Sequence, residues 1–182
     1  MLIGFDASRA FLKENTGTEN YSFNLLKALA KIDTKNDYLI YLRSSENLLV
    51  KKFFPKNFQF KVIKPYRLWT QVGLALETWN NPADVLFIPA HTMPILRRRK
   101  IGITNYKLQI TNSSKFIVTI HDLGVEYLPG FHKFPDKYYL DFASRYAARH
   151  ADGLIAVSRE TKKDLIKRYK IDQSNIFMIN EG

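Results

Sequence analysis

Several short stretches of this sequence carry side chains able to do chemistry. His121-Asp122-Leu123 closes the apolar run Phe116 to Ile120. An imidazole at that point can orient a polar ligand in the crevice beyond the strand end. It can equally be a satisfied histidine at a loop entrance, with Asp122 capping a turn. His91, in Pro89-Ala90-His91, ends a second apolar run and offers the same pair of readings. Asn15-Thr16-Gly17-Thr18-Glu19 opens a periodic segment, where unpaired N–H groups and the dipole of a starting helix would favour an anion. A glycine there admits a phosphate close to the backbone. The pattern falls short of G-x-G-x-x-G, and Thr18 as a helix cap with Gly17 in a turn explains it too. His132 and His150 flank a helical pattern and read as structural or merely exposed.

Other chemistries lack their signatures. The sequence holds no G-x-x-x-x-G-K-[ST], H-E-x-x-H, G-x-S-x-G or Asp-x-Asp and no cysteine, which argues against a P-loop, a dedicated metal site and a serine nucleophile. The formal charge of +11, from 28 Lys and Arg against 17 Asp and Glu, favours anionic partners: phosphorylated small molecules, anionic lipid or nucleic acid. Nucleic acid ranks last, because the basic residues are scattered and no recognised binding module is present. The exception is Arg97-Arg98-Arg99-Lys100, usually a solvated face but also a run that could meet anionic lipid. With no apolar stretch near 20 residues and no signal-like start, a cytoplasmic protein is expected, with room for a peripheral contact at the inner face of the membrane.

The elements that must position these residues alternate. Short β-rich runs at Leu2 to Asp6, Tyr38 to Leu42, Phe58 to Ile63, Val85 to Ile88, Phe116 to Ile120, Leu154 to Val157 and Ile176 to Ile179 are separated by helical patterns. Most are nearly continuous in apolar residues, as in strands covered on both faces. Tyr21, Leu25, Ala28, Leu29 and Ile32 recur at three- and four-residue spacing and predict a helix from about Thr18 to Ile32 with that face on the sheet. A second helix is expected from about Pro135 to His150, with Tyr139, Phe142, Tyr146 and Ala147 inward. A third follows Ser158 as N-cap, with Leu165, Ile166 and Tyr169 inward. Trp69 to Trp79 is a weaker helix interrupted by Gly73, Ser45 to Phe54 a shorter one, and Ile95 to Lys115 reads as a long loop.

The fold class implied is α/β, one domain: a doubly wound, Rossmann-like parallel sheet of about seven strands with helices on both faces. Ligands of such sheets bind beyond the carboxyl ends of the strands. That edge holds Asp6 to Gly17, Pro89 to Pro94 and His121 to Glu126.

Gly4-Phe5-Asp6-Ala7-Ser8-Arg9, Thr16-Gly17-Thr18-Glu19-Asn20-Tyr21, Val118-Thr119-Ile120-His121-Asp122-Leu123, Ala151-Asp152-Gly153-Leu154-Ile155-Ala156-Val157-Ser158 and Asn180-Glu181-Gly182, taken in this order, resemble the N-terminal domain of family 4 retaining glycosyltransferases. The resemblance implies a two-domain GT-B enzyme that works without a metal site or cofactor and takes a nucleoside diphosphate sugar as co-substrate. Its acceptor is a hydroxyl, on a saccharide or a lipid-linked molecule. Gly17 and Thr18 would lie near the donor diphosphate. His121 would contact the transferred sugar, with its backbone carbonyl able to stabilise positive charge. Arg9, His91 and Asp122 would line the acceptor side, and Ser158 would stand near the cleft. The family continues past the Asn180-Glu181-Gly182 segment into a nucleotide-binding domain, so this chain is expected to be a truncated, nearly inactive acceptor-side half. Arg97 to Ser114 is longer than the family pattern. The rival expectation is a non-enzymatic α/β module for a phosphorylated ligand or an anionic membrane surface.

Overall fold

The computed structural model describes residues 1–11, 17–104, 107–112, 114–123 and 136–181. In chain order the strands are β1 (Leu2–Asp6), β2 (Asp37–Leu42), β3 (Phe58–Val62), β4 (Val85–Ile88), β5 (Arg99–Thr104), β6 (Lys107–Asn112), β7 (Lys115–Ile120), β8 (Gly153–Ala156) and β9 (Ile176–Met178). The α-helices are α1 (Gly17–Ile32), α2 (Ala75–Asn80), α3 (Asp136–His150) and α4 (Arg159–Tyr169). A 3-10 segment spans Ser45–Phe53, and a π-helical turn, Trp69–Leu74, leads into α2. Of the residues singled out above, Asn15, Thr16, His132, Pro135 and Gly182 lie outside the described ones.

Seven strands form one parallel sheet in the order β3-β2-β1-β4-β7-β8-β9. The apolar runs become strands because both of their faces are covered. Phe5, Ile40, Leu42 and Phe58 pack with Leu26 of α1 on one side. Tyr41, Leu86, Val118 and Leu154 pack with Leu74, Ala147 and Leu165 on the other. Gly4 is required where β1 passes under Tyr41, since a Cβ there would stand 2.9 Å from Tyr41 Cε2 and 3.1 Å from Leu86 Cδ1. Gly73 has a similar reason. A Cβ would meet Ile63 Cγ2 at 3.1 Å and the Lys64 carbonyl at 3.3 Å, so its place in the π turn reflects close packing rather than a weakened helix.

Three expectations change. The buried face of α1 is Glu19, Ser22 and Leu26, while Ala28 is exposed and Ile32 is 76% exposed. Glu19 turns inward because its carboxylate pairs with Arg9 at 2.9 Å, and this rotates the helix away from the stripe centred on Leu25 and Ala28. In α3 the buried residues are Ala143, Ser144, Ala147 and Ala148, with Tyr139 and Phe142 exposed and Tyr146 only partly buried. Small residues let that helix approach the sheet closely, and the rings are left outside. Finally, Ile95 to Lys115 is not a continuous loop. β5 and β6 pair antiparallel, with Ile101 opposite Ile110 and Ile103 opposite Leu108, a two-residue period that the surrounding polar residues obscure. No described helix is long and apolar enough to cross a membrane.

Gly4→Ala should lower the unfolding free energy in urea by about 1–3 kcal/mol through overpacking. Gly17→Ala, where a Cβ meets nothing within 4 Å, should leave it unchanged or raise it by up to about 1 kcal/mol.

Candidate active site

The strand order reverses between β1 and β4, and the connections leaving these neighbours diverge, opening a crevice at their carboxyl ends. Asp6 ends β1, Pro89-Ala90-His91 follows β4, His121 follows β7 and Ser158 follows β8. β9 pairs with β8, and its last contact, Ile179 N donating to Ala156 O at 3.0 Å, releases Asn180 and Glu181 toward the same edge.

His121 is the centre of contacts there. Its Nε2 lies 2.9 Å from the Pro89 carbonyl oxygen and its Nδ1 against the Glu181 carboxylate. Both partners can only accept, so both bonds are made when both ring nitrogens carry hydrogen. Tyr21 of α1 meets the ring edge-on with centroids 4.9 Å apart, and its hydroxyl lies 3.4 Å from Thr119 Oγ1 in β7. His91 stacks on the other side at 5.5 Å. The His121 backbone carbonyl accepts from Thr161 Oγ1 at 2.9 Å. A carbonyl oxygen has two lone pairs, so this bond fixes the backbone at His121 without using up the acceptor.

Ser158 is explained by that same anchor. Its Oγ caps α4, accepting from Thr161 N at 3.0 Å, and stands 3.0 Å from Thr161 Oγ1. Since Thr161 Oγ1 donates to His121, Ser158 donates to Thr161, and the helix cap fixes the histidine backbone. Leu165 and Tyr169 then point inward, with Ile166 partly buried against the core.

A cavity of about 450 Å³ lies between the first half of α1 and the segment after β9, lined by Gly17, Asn20, Tyr21, Asn24, Asn180 and Glu181 among others. Its volume falls in the range of about 300–1,000 Å³ usual for small-molecule sites. His121 stands directly behind it, touching both Tyr21 and Glu181. Gly17 has open space where a side chain would be, and no described glycine has a positive φ, so a left-handed turn is not its purpose. α1 starts at Gly17, which puts Thr18 inside the first turn rather than at the cap position.

The acids and bases of this edge are buried unequally. Asp6 is buried and its carboxyl is pushed up by desolvation, against the opposing hydrogen bond from Ser8 N at 2.9 Å. Burial also raises the Tyr21 hydroxyl. Arg9, whose side chain is half exposed, donates to the buried Glu19 at the start of α1. Asp122 is exposed beside the crevice. Burial, reinforced by His121 and opposed by Asp122, lowers the His91 imidazole to about 4. No group of three His, Cys, Asp or Glu side chains able to hold a metal ion stands among the described residues.

The structure therefore gathers Gly17, Thr18, His91, His121, Asp122, Arg9 and Ser158 at one edge, as the sequence places them. It adds Tyr21, Thr161 and Glu181, which the sequence reading did not assign to the site. Thr119, the polar residue inside the run Phe116 to Ile120, was the available signal. His150 stays outside, bonded through Nδ1 to Tyr146 O at 2.9 Å and stacked on that ring.

The family model for Glycosyltransferase Family 4 matches residues 15–182. The chain belongs to glycosyltransferase family 4. No curated protein matches it. The matched span of this family 4 domain begins at residue 15 and takes in α1, His91, His121 and Glu181. Asp6 and Arg9 precede it.

An imidazole harder to protonate in the folded than in the unfolded chain supports the fold above its ordinary value near 6.5 and withdraws that support as pH falls toward about 4. Urea unfolding should therefore show the wild type losing about 2 kcal/mol more than His91→Gln between about pH 7 and about pH 5. Equal losses would mean that His91 is not the group responsible.

Proposed function

We propose that this domain is the acceptor-side half of a two-domain, GT-B glycosyltransferase that moves a sugar from a nucleoside diphosphate sugar to a hydroxyl, on a saccharide or a lipid-linked molecule, with retention at the anomeric carbon. The observation that carries the reading is the shared cavity. The start of α1 at Gly17 lines it, and His121 backs it through Tyr21 and Glu181. An α-helix beginning at an open glycine favours the negative charge that develops on a leaving diphosphate. The His121 imidazole, held at the Pro89 carbonyl while Thr161 fixes the backbone carbonyl of the same residue, orients the sugar. The Glu181 carboxylate occupies the place on Nδ1 that a sugar hydroxyl would take.

In this reading Arg9, His91 and Asp122 serve the acceptor side, and Ser158 acts through α4 rather than on substrate. No metal or cofactor takes part. The reaction belongs to the cytoplasm, where nucleotide sugars are its co-substrate. Family membership favours transfer over a non-enzymatic phosphate-binding module using the same helix terminus. Because the cavity is open on one side, a second, nucleotide-binding domain completes it, and domain closure assembles the site.

In protein that carries both domains, His121→Ala should lower kcat about a hundredfold or more in a nucleotide-sugar panel assay, with its thermal unfolding measured in parallel. The 182-residue chain alone should be slower than that protein by at least about a hundredfold. Turnover by the isolated chain at a comparable rate would refute the division of labour between domains.

A further inference from the structure

A second cavity, about 460 Å³, opens between α1 and the 3-10 segment Ser45–Phe53. Phe23, Val50, Phe53 and Phe54 wall it, Lys27 and Lys31 stand at its rim, and none of its described lining residues is acidic. Its floor is aromatic: Phe23 meets Phe11 at 5.8 Å, and Phe54 meets Phe60 at 5.1 Å.

Around the mouth, large apolar side chains point outward. Leu49, Phe53 and Ile32 are each 76% exposed. Lysines alternate with them. Lys27, Lys31, Lys51 and Lys52 are all exposed, and Lys52 Nζ lies 5.1 Å from the Phe53 ring centroid. Apolar tips ringed by ammonium groups fit an interface in which the tips enter the acyl boundary and the lysines sit at phosphate level. On a chain of net charge +11, that interface is anionic.

We infer that this face docks on an anionic lipid bilayer. Arg97 and Arg98, where the sequence placed such a contact, are engaged internally: Arg97 donates to His150 O at 2.8 Å and lies over the Phe116 ring, and Arg98 donates to Trp79 O at 3.3 Å. The docking face leaves the crevice open. At about 1.5 Å per residue, Lys31 is roughly 20 Å along α1 from Gly17. The inference stands apart from sugar transfer, and its test has no catalytic readout.

Flotation of the chain with phosphatidylcholine vesicles, with and without phosphatidylglycerol, is the test. The chain should float only with the anionic vesicles. Lys51→Gln with Lys52→Gln should lower partition about thirtyfold. Lys27→Gln with Lys31→Gln should act in the same direction, and so should Leu49→Ser with Phe53→Ser. Arg97→Gln with Arg98→Gln should leave partition unchanged. All of the first three pairs are exposed, and urea unfolding of each variant confirms an intact fold. Flotation equal on both vesicle types, flotation lost only in the arginine variant, binding of monomeric dodecyl phosphate without flotation, or no flotation at all would each overturn the inference.

Discussion

Parallel pairing across all seven strands is the constraint on which everything else rests. In a parallel sheet every strand delivers its carboxyl end to the same edge, so residues as distant in sequence as Asp6, His91, His121, Ser158 and Glu181 become neighbours without any local signal linking them. The reversal of strand order between β1 and β4 then turns that edge into a crevice. Were β7 to pair antiparallel, His121 would leave at the opposite end of the sheet, away from Pro89 and from the start of α1.

Within that frame one side chain organises the site. His121 is held through both ring nitrogens, through its backbone carbonyl, and by two aromatic neighbours of different elements. A residue tied to the end of β4, to α4, to α1 and to the segment after β9 has little freedom left, and such pre-organisation is what an orienting group needs. The companion His91 illustrates the electrostatic consequence. Burial beside a second imidazole keeps it from taking up a proton readily, so the stacked pair resists carrying two positive charges.

Strand positions and sheet topology were legible because buried parallel strands write themselves as apolar runs with few alternatives. The edge residues followed from topology. Helix orientation was not legible where the rotation depended on a tertiary contact: nothing in Tyr21 to Ile32 reveals that Glu19 pairs with Arg9. In α3 the pattern of large rings competed with a parallel pattern of small residues, and close approach to the sheet selected the small ones. Tyr21 escaped because its spacing with Leu25 and Ala28 reads as packing, and Thr161 because it stands among the charged residues that open α4. Glu181 escaped because its partner is 60 positions away.

The central claim is that the start of α1 and His121 serve one ligand. A structure of the protein with its nucleotide-sugar donor tests it most directly. The account predicts the diphosphate within hydrogen-bonding reach, about 3 Å, of the Gly17 and Thr18 amides, with the sugar against the His121 ring in place of Glu181. A donor bound elsewhere on the domain, or one that leaves the pairing of His121 with Glu181 untouched and Gly17 uncovered, would contradict it.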